Sequence, residues 1–392
     1  MMPGKARSVG ILAVVEVMTM SLWFVSAAIL PELIAEGDIG HFRAALLTSA
    51  VQIGFVLGAL GMAVHGTPDR IDPRRVIAVC AVIGSVANLA LLVTPIGGVV
   101  QVLLRGITGI CLAGVYPVGM KIIVGWGTKD RGLLVGLLVG ALTLGSALPH
   151  LFAFLGGTNW RVTVAGSSAL ALVSAGLALM TSLGPAHAQA RAFDPGAIRM
   201  AWTDRRIRLA YAGYLGHMWE LYTYWAWIGA ALAVSFSAQL ALEDAQSAAK
   251  LVTFVAIALG GVMCVPAGWF ADRIGKAQVA KISLIVSGVS GLATAAAFGG
   301  PVWLVAALAI LWGASVIPDS AQFSALVADS APPDRAGSLM TFQTAIGFTM
   351  TFFTVQAMPF FAQAFGWQAA LAIMVFGPIY GIDAMRRLIR IV

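Results

Sequence analysis

The stretch GWFADRIGK, residues 268–276, ends a long apolar run with an acid, a base and a Gly-Lys pair. Its Asp-Arg-Ile core, residues 272–274, also occurs at residues 69–71, which is 203 positions earlier. A second Asp-Arg pair shows nearly the same displacement, because residues 130–131 and 334–335 are 204 positions apart. Both displacements are about half of the 392-residue chain. The sequence therefore predicts one unit that occurs twice in parallel.

The composition identifies a membrane protein. Hydrophobic residues make up 59% and charged residues 10% of the chain, and the mean hydropathy is +0.90, whereas soluble domains average about 25% charged residues. Apolar runs of about 20 residues recur from end to end, and each can cross the bilayer as a helix. We predict an all-α integral membrane protein with twelve transmembrane helices in two pseudo-symmetric six-helix bundles. The predicted spans are 8–30, 43–65, 76–95, 99–122, 132–155, 162–183, 207–235, 247–270, 279–299, 301–326, 338–364 and 366–386.

The domain prediction follows the repeat. Residues 1–183 form the N-terminal six-helix half, residues 184–206 a cytoplasmic linker, and residues 207–392 the C-terminal six-helix half. Within the linker, Asp194-Pro195 resembles a helix start, with a capping side chain before a proline. The linker is therefore either a plain connection or a short helix in the membrane interface.

Basic residues are distributed very unevenly over the predicted loops. If both termini are cytoplasmic, 19 of the 24 Lys and Arg residues lie on the inner side, as the positive-inside rule requires. We therefore expect a multi-pass protein of the plasma membrane, the inner membrane of a bacterium. This topology accounts for the net charge of +7 without a nucleic-acid partner. The three cysteines all fall within spans, and their spacing predicts neither a disulfide nor a metal site.

The repeated loop leads to a family resemblance. The chain resembles the major facilitator superfamily over essentially its whole length. That family carries a motif close to Gly-x-Leu-Ala-Asp-Arg-x-Gly-Arg-Lys after its second span. The first loop here keeps Asp69-Arg70 and a basic tail but not the two glycines in register, whereas the second loop keeps Gly268, Asp272, Arg273 and Gly275. The resemblance implies a secondary transporter whose spans one, four, seven and ten line a central cavity.

The loop acids and bases are candidates for a cytoplasmic gate. An aspartate at a helix end can bond the free N–H groups at the start of a neighbouring helix, and an arginine can pair with an acid. Such contacts form in one conformation and break in another. The alternative is that the bases only fix the topology. The candidate gate residues are Asp69, Arg70, Asp130, Arg131, Asp272 and Arg273.

Two further spans carry family-like patterns. Arg105-Gly106-Ile107-Thr108-Gly109 resembles a motif of many proton-coupled members, in which an arginine within the membrane precedes a glycine. Span five carries glycines at 132, 136 and 140, a spacing that lets helices approach closely. It resembles the glycine-rich motif of drug:proton antiporters, but that motif's Gly-Pro pair is missing.

Five ionisable residues fall inside predicted spans, where a charge costs at least about 2.5–3.5 kcal/mol. Because a carboxyl group removed from water favours its neutral form, one or another of the three acids is expected to bind and release a proton. The arginine is expected to pair with a carboxylate or hold an anionic substrate, and the histidine to tune or relay the proton. Each group has a purely structural alternative. The candidates are Glu16, Arg105, His217, Glu220 and Asp319, with Tyr224, Trp227 and Trp23 as aromatic walls at helical spacing.

These features predict a secondary active transporter that moves a small organic solute by alternating access with proton symport. An anionic solute is one form of this prediction. Export of an organic compound or drug in exchange for protons is one alternative, and a non-transporting sensor or assembly factor is another. An enzyme is not expected, because the chain has no nucleophile with its base and no His-Glu-x-x-His motif. We expect a monomer in contact with lipid, no metal, and no cofactor other than the coupling proton.

Overall fold

The computed structural model describes residues 4–37, 39–127, 130–187, 193–332 and 335–391, but not the side chains of Pro68, Asp69 and Arg131. Helices account for nearly all of these residues, and no strand occurs among them. This outcome is expected in an apolar environment, since a helix pairs its backbone groups within itself. The fold is all-α, as the sequence predicts.

Eighteen α-helices occur in the described part of the chain, with 3₁₀ turns at Ala90–Val93, Pro195–Arg199 and Ile373–Val375. The helices are α1 Lys5–Met20, α2 Val25–Ala28, α3 Leu30–Gly37, α4 His41–His65, α5 Thr67–Arg70, α6 Pro73–Leu89, α7 Val99–Ala113, α8 Tyr116–Gly125, α9 Arg131–Gly156, α10 Trp160–Leu179, α11 Met200–Thr203, α12 Arg205–Phe236, α13 Leu242–Ile274, α14 Lys276–Ala296, α15 Val302–Val316, α16 Ser320–Ser330, α17 Ala336–Ala372 and α18 Phe376–Ile389.

Nine helical segments within the described ranges are long and apolar enough to cross a membrane. They include ten of the twelve predicted spans, because the segment Ala336–Ile389 contains both the eleventh and the twelfth. The first predicted span is divided among α1, α2 and α3. The seventh coincides with α12, whose polar side chains make it less apolar. The count of twelve spans stays a prediction.

Proline and glycine mark the breaks within the long segments. Pro318 separates α15 from α16, since proline has no backbone N–H to continue a helix. Within α17, Gly366 has a φ of 81°, which is a left-handed conformation that glycine adopts at little cost. The chain bends there, between the eleventh and the twelfth predicted span.

The helices pack in two groups, which we name the first half (α1–α10) and the second half (α12–α18). Two helix pairs, α9 with α13 and α4 with α17, carry most of the contact between them. The α9–α13 contact is a backbone-to-backbone approach, because a methyl group on Gly140 would lie 2.6 Å from the carbonyl oxygen of Gly261. Gly136 faces the carbonyl of Cys264 in the same way.

The linker between the halves begins its helical turns at Asp194. Its carboxylate accepts a hydrogen bond of 2.8 Å from the backbone N–H of Gly196, and its own N–H donates to Ser338 Oγ on α17 at 2.9 Å. The turns are short, comprising the 3₁₀ turn Pro195–Arg199 and then α11. The domain boundaries and the interfacial position of the linker stay predictions.

The glycine contact between the halves gives a first prediction. Gly140→Val should destabilise the protein by about 1–3 kcal/mol, because its side chain overpacks against α13. The matched control is Gly176→Val, since no described atom outside its own helix lies within 4 Å of that position. Thermal unfolding in detergent compares the two variants. Equal melting temperatures would contradict the close approach of α9 and α13.

The start of α6 has a charged cap. Asp72 Oδ1 accepts from the backbone N–H of Arg74 at 3.0 Å, and the Arg74 side chain donates to the same carboxylate, with Nη2 2.6 Å from Oδ2. The hydrogen bonds from the Arg74 guanidinium lower the pKa of Asp72 below its ordinary value. Asp72 lies in the loop after α5 and Arg74 in the first turn of α6, both outside the predicted spans.

We therefore expect Asp72→Ala to lower stability at neutral pH by about 1 kcal/mol, as for other lost caps. The sign follows from the lowered pKa: the stabilisation is present above the unfolded-state pKa of about 3.9 and is lost as the pH falls through the folded-state value. The difference in melting temperature between wild type and variant should shrink below about pH 4. A difference that persists unchanged at pH 3 would rule out the charged cap as its source.

Candidate functional site

Six aromatic rings meet where the two halves face each other. Each belongs to a residue near the middle of its predicted span, and each is nearly or fully buried. The first half supplies three rings and the second half the other three. This aromatic cluster consists of Trp23, Phe24, Phe55, Tyr222, Trp225 and Phe348.

Ring contacts cross from one half to the other throughout the cluster. Trp23 lies 5.5 Å from both Tyr222 and Phe348, measured between ring centroids. Phe55 lies 4.6 Å from Phe348, and Phe24 lies 5.6 Å from Trp225 in an edge-to-face arrangement. These separations are typical of favourable aromatic pairs. The middle of the molecule, where the sequence predicts a polar cavity, is filled by aromatic side chains from both halves.

Arg105 on α7 lies directly behind this cluster. Its Nη2 donates to the backbone carbonyl of Trp23, and its Nη1 donates to Asn88 Oδ1 at 2.9 Å. The guanidinium is fully buried, and it forms no ion pair with any carboxylate that the structure describes. The predicted pairing of Arg105 with an intramembrane acid is therefore not present in this conformation.

Glu220 on α12 is held by two donors of the second half. Trp312 donates its indole N–H to Oε1 at 2.6 Å, and Ser287 donates its hydroxyl to Oε2 at 3.0 Å. These partners lie on α15 and α14, so the carboxyl group points into the second half and not toward Arg105. The structure does not bring Arg105 and Glu220 to one shared space.

Two other candidate residues on α12, Tyr224 and Trp227, also point into the second half. The Tyr224 hydroxyl donates to the Ala309 carbonyl at 2.7 Å, and the Trp227 indole donates to the Val355 carbonyl at 2.9 Å. Both side chains therefore attach α12 to its neighbours α15 and α17. The prediction that they line a polar cavity finds no support in these contacts.

Glu16 on α1 contrasts with Glu220. Its side chain is fully buried, and neither carboxyl oxygen has a hydrogen-bond partner. It faces α8, where a methyl group on Gly119 would lie 3.1 Å from Oε2. Like α1, α8 belongs to the first half, so Glu16 packs within that half.

His217 and Asp319 form a buried pair in the second half. His217 Nδ1 and Asp319 Oδ1 are 2.9 Å apart, close enough for an ion pair. The two atoms are not aligned for a hydrogen bond, so both ring nitrogens and Oδ1 lack a hydrogen-bond partner among the described residues. The imidazole packs against Phe323 at 5.6 Å and Tyr214 at 6.1 Å between ring centroids. The structure thus brings these two candidates together.

The predicted gate residues occupy one end of the molecule, which we name the basic end. The Asp272 carboxylate lies at the start of α9, where a methyl group on Gly132 would lie 3.3 Å from Oδ2. Asp130 pairs with Lys5 at 2.7 Å, within the first half. Arg273 lies over the Trp269 ring and forms no ion pair with an acid among the described residues. Arg70 is exposed, and the side chains of Asp69 and Arg131 lie outside the described part of the structure.

Contacts between the halves also close the opposite end. Lys250 on α13 forms an ion pair with Glu32 on α3 and donates to the Gly157 carbonyl at 2.8 Å. Both side chains are about nine-tenths buried. No local sequence pattern indicates this pair, since Glu32 lies 218 positions before Lys250 in the chain. Ser49 adds a bond to Gln356 at 3.0 Å.

Chemistry that needs a bound metal gains no support from this arrangement. Among the described residues, no group of three or more His, Cys, Asp or Glu side chains is placed to hold a metal ion. Cys80, Cys111 and Cys264 are free thiols. The features that remain are the buried carboxyl groups, one buried guanidinium, and an aromatic cluster between two groups of helices.

The fold and these features define a membrane transporter, and comparison with known proteins supplies its class. The family model of the Major Facilitator Superfamily matches residues 12–347. The chain belongs to that superfamily, and it is a transporter rather than an enzyme.

Particular relatives are more distant. The chain is 29% identical to the gallate transporter of Pseudomonas putida, but the match spans only 35% of this chain and 36% of that protein. Among solved structures, a bacterial homologue of the human lysosomal transporter Spinster is similar with a TM-score of 0.77, 12% identity and coverage of 100% and 98% of the two chains. The xylose transporter XylE from E. coli gives a TM-score of 0.74, 15% identity and coverage of 98% and 97%. At these identities the structures show the fold alone.

The Glu32–Lys250 pair gives a prediction for the closed end. Lys250→Met should destabilise the protein by about 3–5 kcal/mol, because it leaves a buried carboxylate without its partner. The double variant Glu32→Gln with Lys250→Met removes both charges and should recover part of this loss. Melting temperatures of the single and double variants measure the coupling. Strictly additive effects would show that the two side chains are not paired in solution.

Proposed function

We propose that the chain is a proton-coupled symporter for a small organic anion. The observation that carries the proposal is Glu16, a carboxyl group that is fully buried without a hydrogen-bond partner. A charged carboxylate in such a position is very costly. The neutral, protonated form therefore suits this closed conformation, and a conformation that admits water suits proton release. A proton carrier of a transport cycle needs this dependence on conformation.

The contacts of Glu220 argue for a different role. Its two donors stabilise the carboxyl group inside one half, and both partners move with it if that half rotates as a unit. Its surroundings therefore change little between conformations. We assign proton coupling to Glu16, with the buried pair of His217 and Asp319 as the groups that accept or relay the proton.

Arg105 supports an anionic solute. A guanidinium stays charged at any working pH, and here it is buried without a carboxylate partner. An anionic solute near Trp23 would supply the missing negative charge. The partial match to a gallate transporter agrees with a carboxylate as the transported group.

The contacts between the halves fit alternating access. Side-chain contacts close the end at Glu32 and Lys250, and the Asp272 carboxylate meets the start of α9 at the basic end. Opening either end breaks a few of these contacts while the glycine approach of α9 and α13 remains as an axis. We place the basic end and both termini on the cytoplasmic side of a bacterial inner membrane, because the positive-inside rule favours that orientation.

The test of this proposal uses proteoliposomes with an imposed pH gradient, acidic outside. Gallate, xylose and uridine serve as probe solutes, and a pH-sensitive dye inside the vesicles reports proton entry. A symporter accumulates its solute together with protons. Expulsion of preloaded solute by the same gradient would establish the antiport alternative, and transport of no solute class with protons would remove the proposal.

Two isosteric variants identify the proton carrier. Glu16→Gln should reduce gradient-driven uptake about tenfold or more, because loss of a positioned proton-transfer group slows proton transfer by at least this factor. Solute exchange without a gradient should persist. Glu220→Gln is the matched control, because an amide can still accept from Trp312 and donate to Ser287. Full coupling in Glu16→Gln together with its loss in Glu220→Gln would reverse the assignment.

A further inference from the structure

The aromatic cluster contains polar groups that nothing in this conformation satisfies. The indole N–H groups of Trp23 and Trp225 are both buried, and neither has an acceptor. Outside the cluster, the buried indoles of Trp227 and Trp312 have acceptors, whereas that of Trp160 has none among the described residues. Because buried donors are normally paired, two orphan donors in one cluster indicate that an acceptor is supplied from outside the chain.

A positive charge reinforces this pattern. Arg105 donates to the backbone carbonyl of Trp23, so a guanidinium lies directly behind the ring that contacts Phe55, Tyr222 and Phe348. Its Nε is also buried without a partner. Two free N–H donors and one uncompensated cation therefore surround a set of flat apolar faces.

The faces themselves come from both halves. Trp23 of the first half stacks on Phe348 of the second half, and Phe24 stacks on Tyr222. Phe55 meets Phe348 in a tilted arrangement with 37° between the ring planes. These rings cover one another when the halves are closed. When one end opens, each ring loses a partner on the other half, and a planar ring of similar size can take the vacated place.

We infer that the aromatic cluster is the substrate-recognition site and that the substrate is an aromatic carboxylate. The ring of the substrate stacks between faces of the two halves, its oxygen atoms accept from the Trp23 and Trp225 indoles, and its negative charge offsets Arg105. Sugars and aliphatic acids lack the π-face. This inference rests on the proposed transport function and adds the class of substrate.

The test compares two probes that differ in little except the π-system. Benzoate and cyclohexanecarboxylate carry the same charge on six-membered rings. Binding to purified wild-type protein, measured by competition against radiolabelled benzoate, should favour benzoate about tenfold, as expected for stacking on two aromatic faces. Equal affinities would overturn the aromatic part of the inference.

Variants locate the binding. Phe348→Leu should weaken benzoate by about two- to tenfold and leave cyclohexanecarboxylate nearly unchanged. Phe353→Leu is the matched control, since that exposed side chain lies on the same helix and contacts no ring of the cluster. Loss of benzoate affinity in the control but not in Phe348→Leu would place the site elsewhere.

The N–H donors are tested separately. Trp225→Phe keeps a ring and removes the donor, so it should weaken benzoate binding several-fold at an unchanged melting temperature. Trp303→Phe, at an exposed position, is the control. Unchanged affinity in Trp225→Phe would exclude the indole from recognition.

These outcomes separate the inference from the function on which it rests. If xylose or uridine moves with protons while benzoate does not bind, the substrate class is wrong and the transport proposal stands. If benzoate binds with the expected preference but no solute moves with protons, the cluster is a binding site and the symport proposal fails.

Discussion

The contact between the two halves depends on one constraint. In an apolar environment every backbone amide must be paired within its own helix, so neighbouring helices meet only through side chains or bare backbone faces. At Gly140 and Gly261 the bare backbones of α9 and α13 meet, so closely that a methyl group does not fit between them. Such a contact holds by packing and exchanges no hydrogen bonds. The halves can therefore tilt about this line without leaving backbone groups unpaired. Among the described residues, the other contacts between the halves include separable side-chain contacts: rings in the middle, and an ion pair with single hydrogen bonds at the end near Glu32.

Buried polar groups fall into two sets, those with hydrogen-bond partners and those without. Glu220 and Tyr224 belong to the first set, through their hydrogen bonds to α14 and α15. The carboxyl group of Glu16, the imidazole of His217 and the indoles of Trp23 and Trp225 lack partners among the described residues. An unpaired buried polar group costs free energy in the closed state. That cost is tolerated if another state, or a solute, supplies the partner. The first set accordingly stabilises the second half, and in the proposed transport cycle the second set would gain its partners from another state or from a solute.

The sequence predicts the helical membrane fold and most spans because hydropathy is a property of each segment alone. It predicts the close helix approach of α9 because glycine spacing is also local. The orientation of α12 is different. A 3.6-residue period places His217, Glu220, Tyr224 and Trp227 on one face, but it does not say which neighbours that face meets. The structure turns most of this face into the second half and points Tyr222 and Trp225 toward the boundary. Likewise, the pairing of Lys250 with Glu32 depends on tertiary packing that no local pattern encodes.

The connection between the proton site and the aromatic cluster runs through one short segment. Glu16 lies on α1, and Trp23 lies in the turn between α1 and α2, within residues 21–24. Carbonyl groups at a helix end lack partners within the helix, and Arg105 satisfies that of Trp23. A solute anion that attracts the Arg105 guanidinium competes with the Trp23 carbonyl for its N–H donors. Such competition weakens the hydrogen bond that holds the turn. Because α1 continues from that turn to Glu16, a shift of the turn alters the surroundings of the carboxyl group. In the proposed cycle, occupation of the cluster and protonation of Glu16 would thereby be linked through the chain itself, without a direct contact between solute and proton.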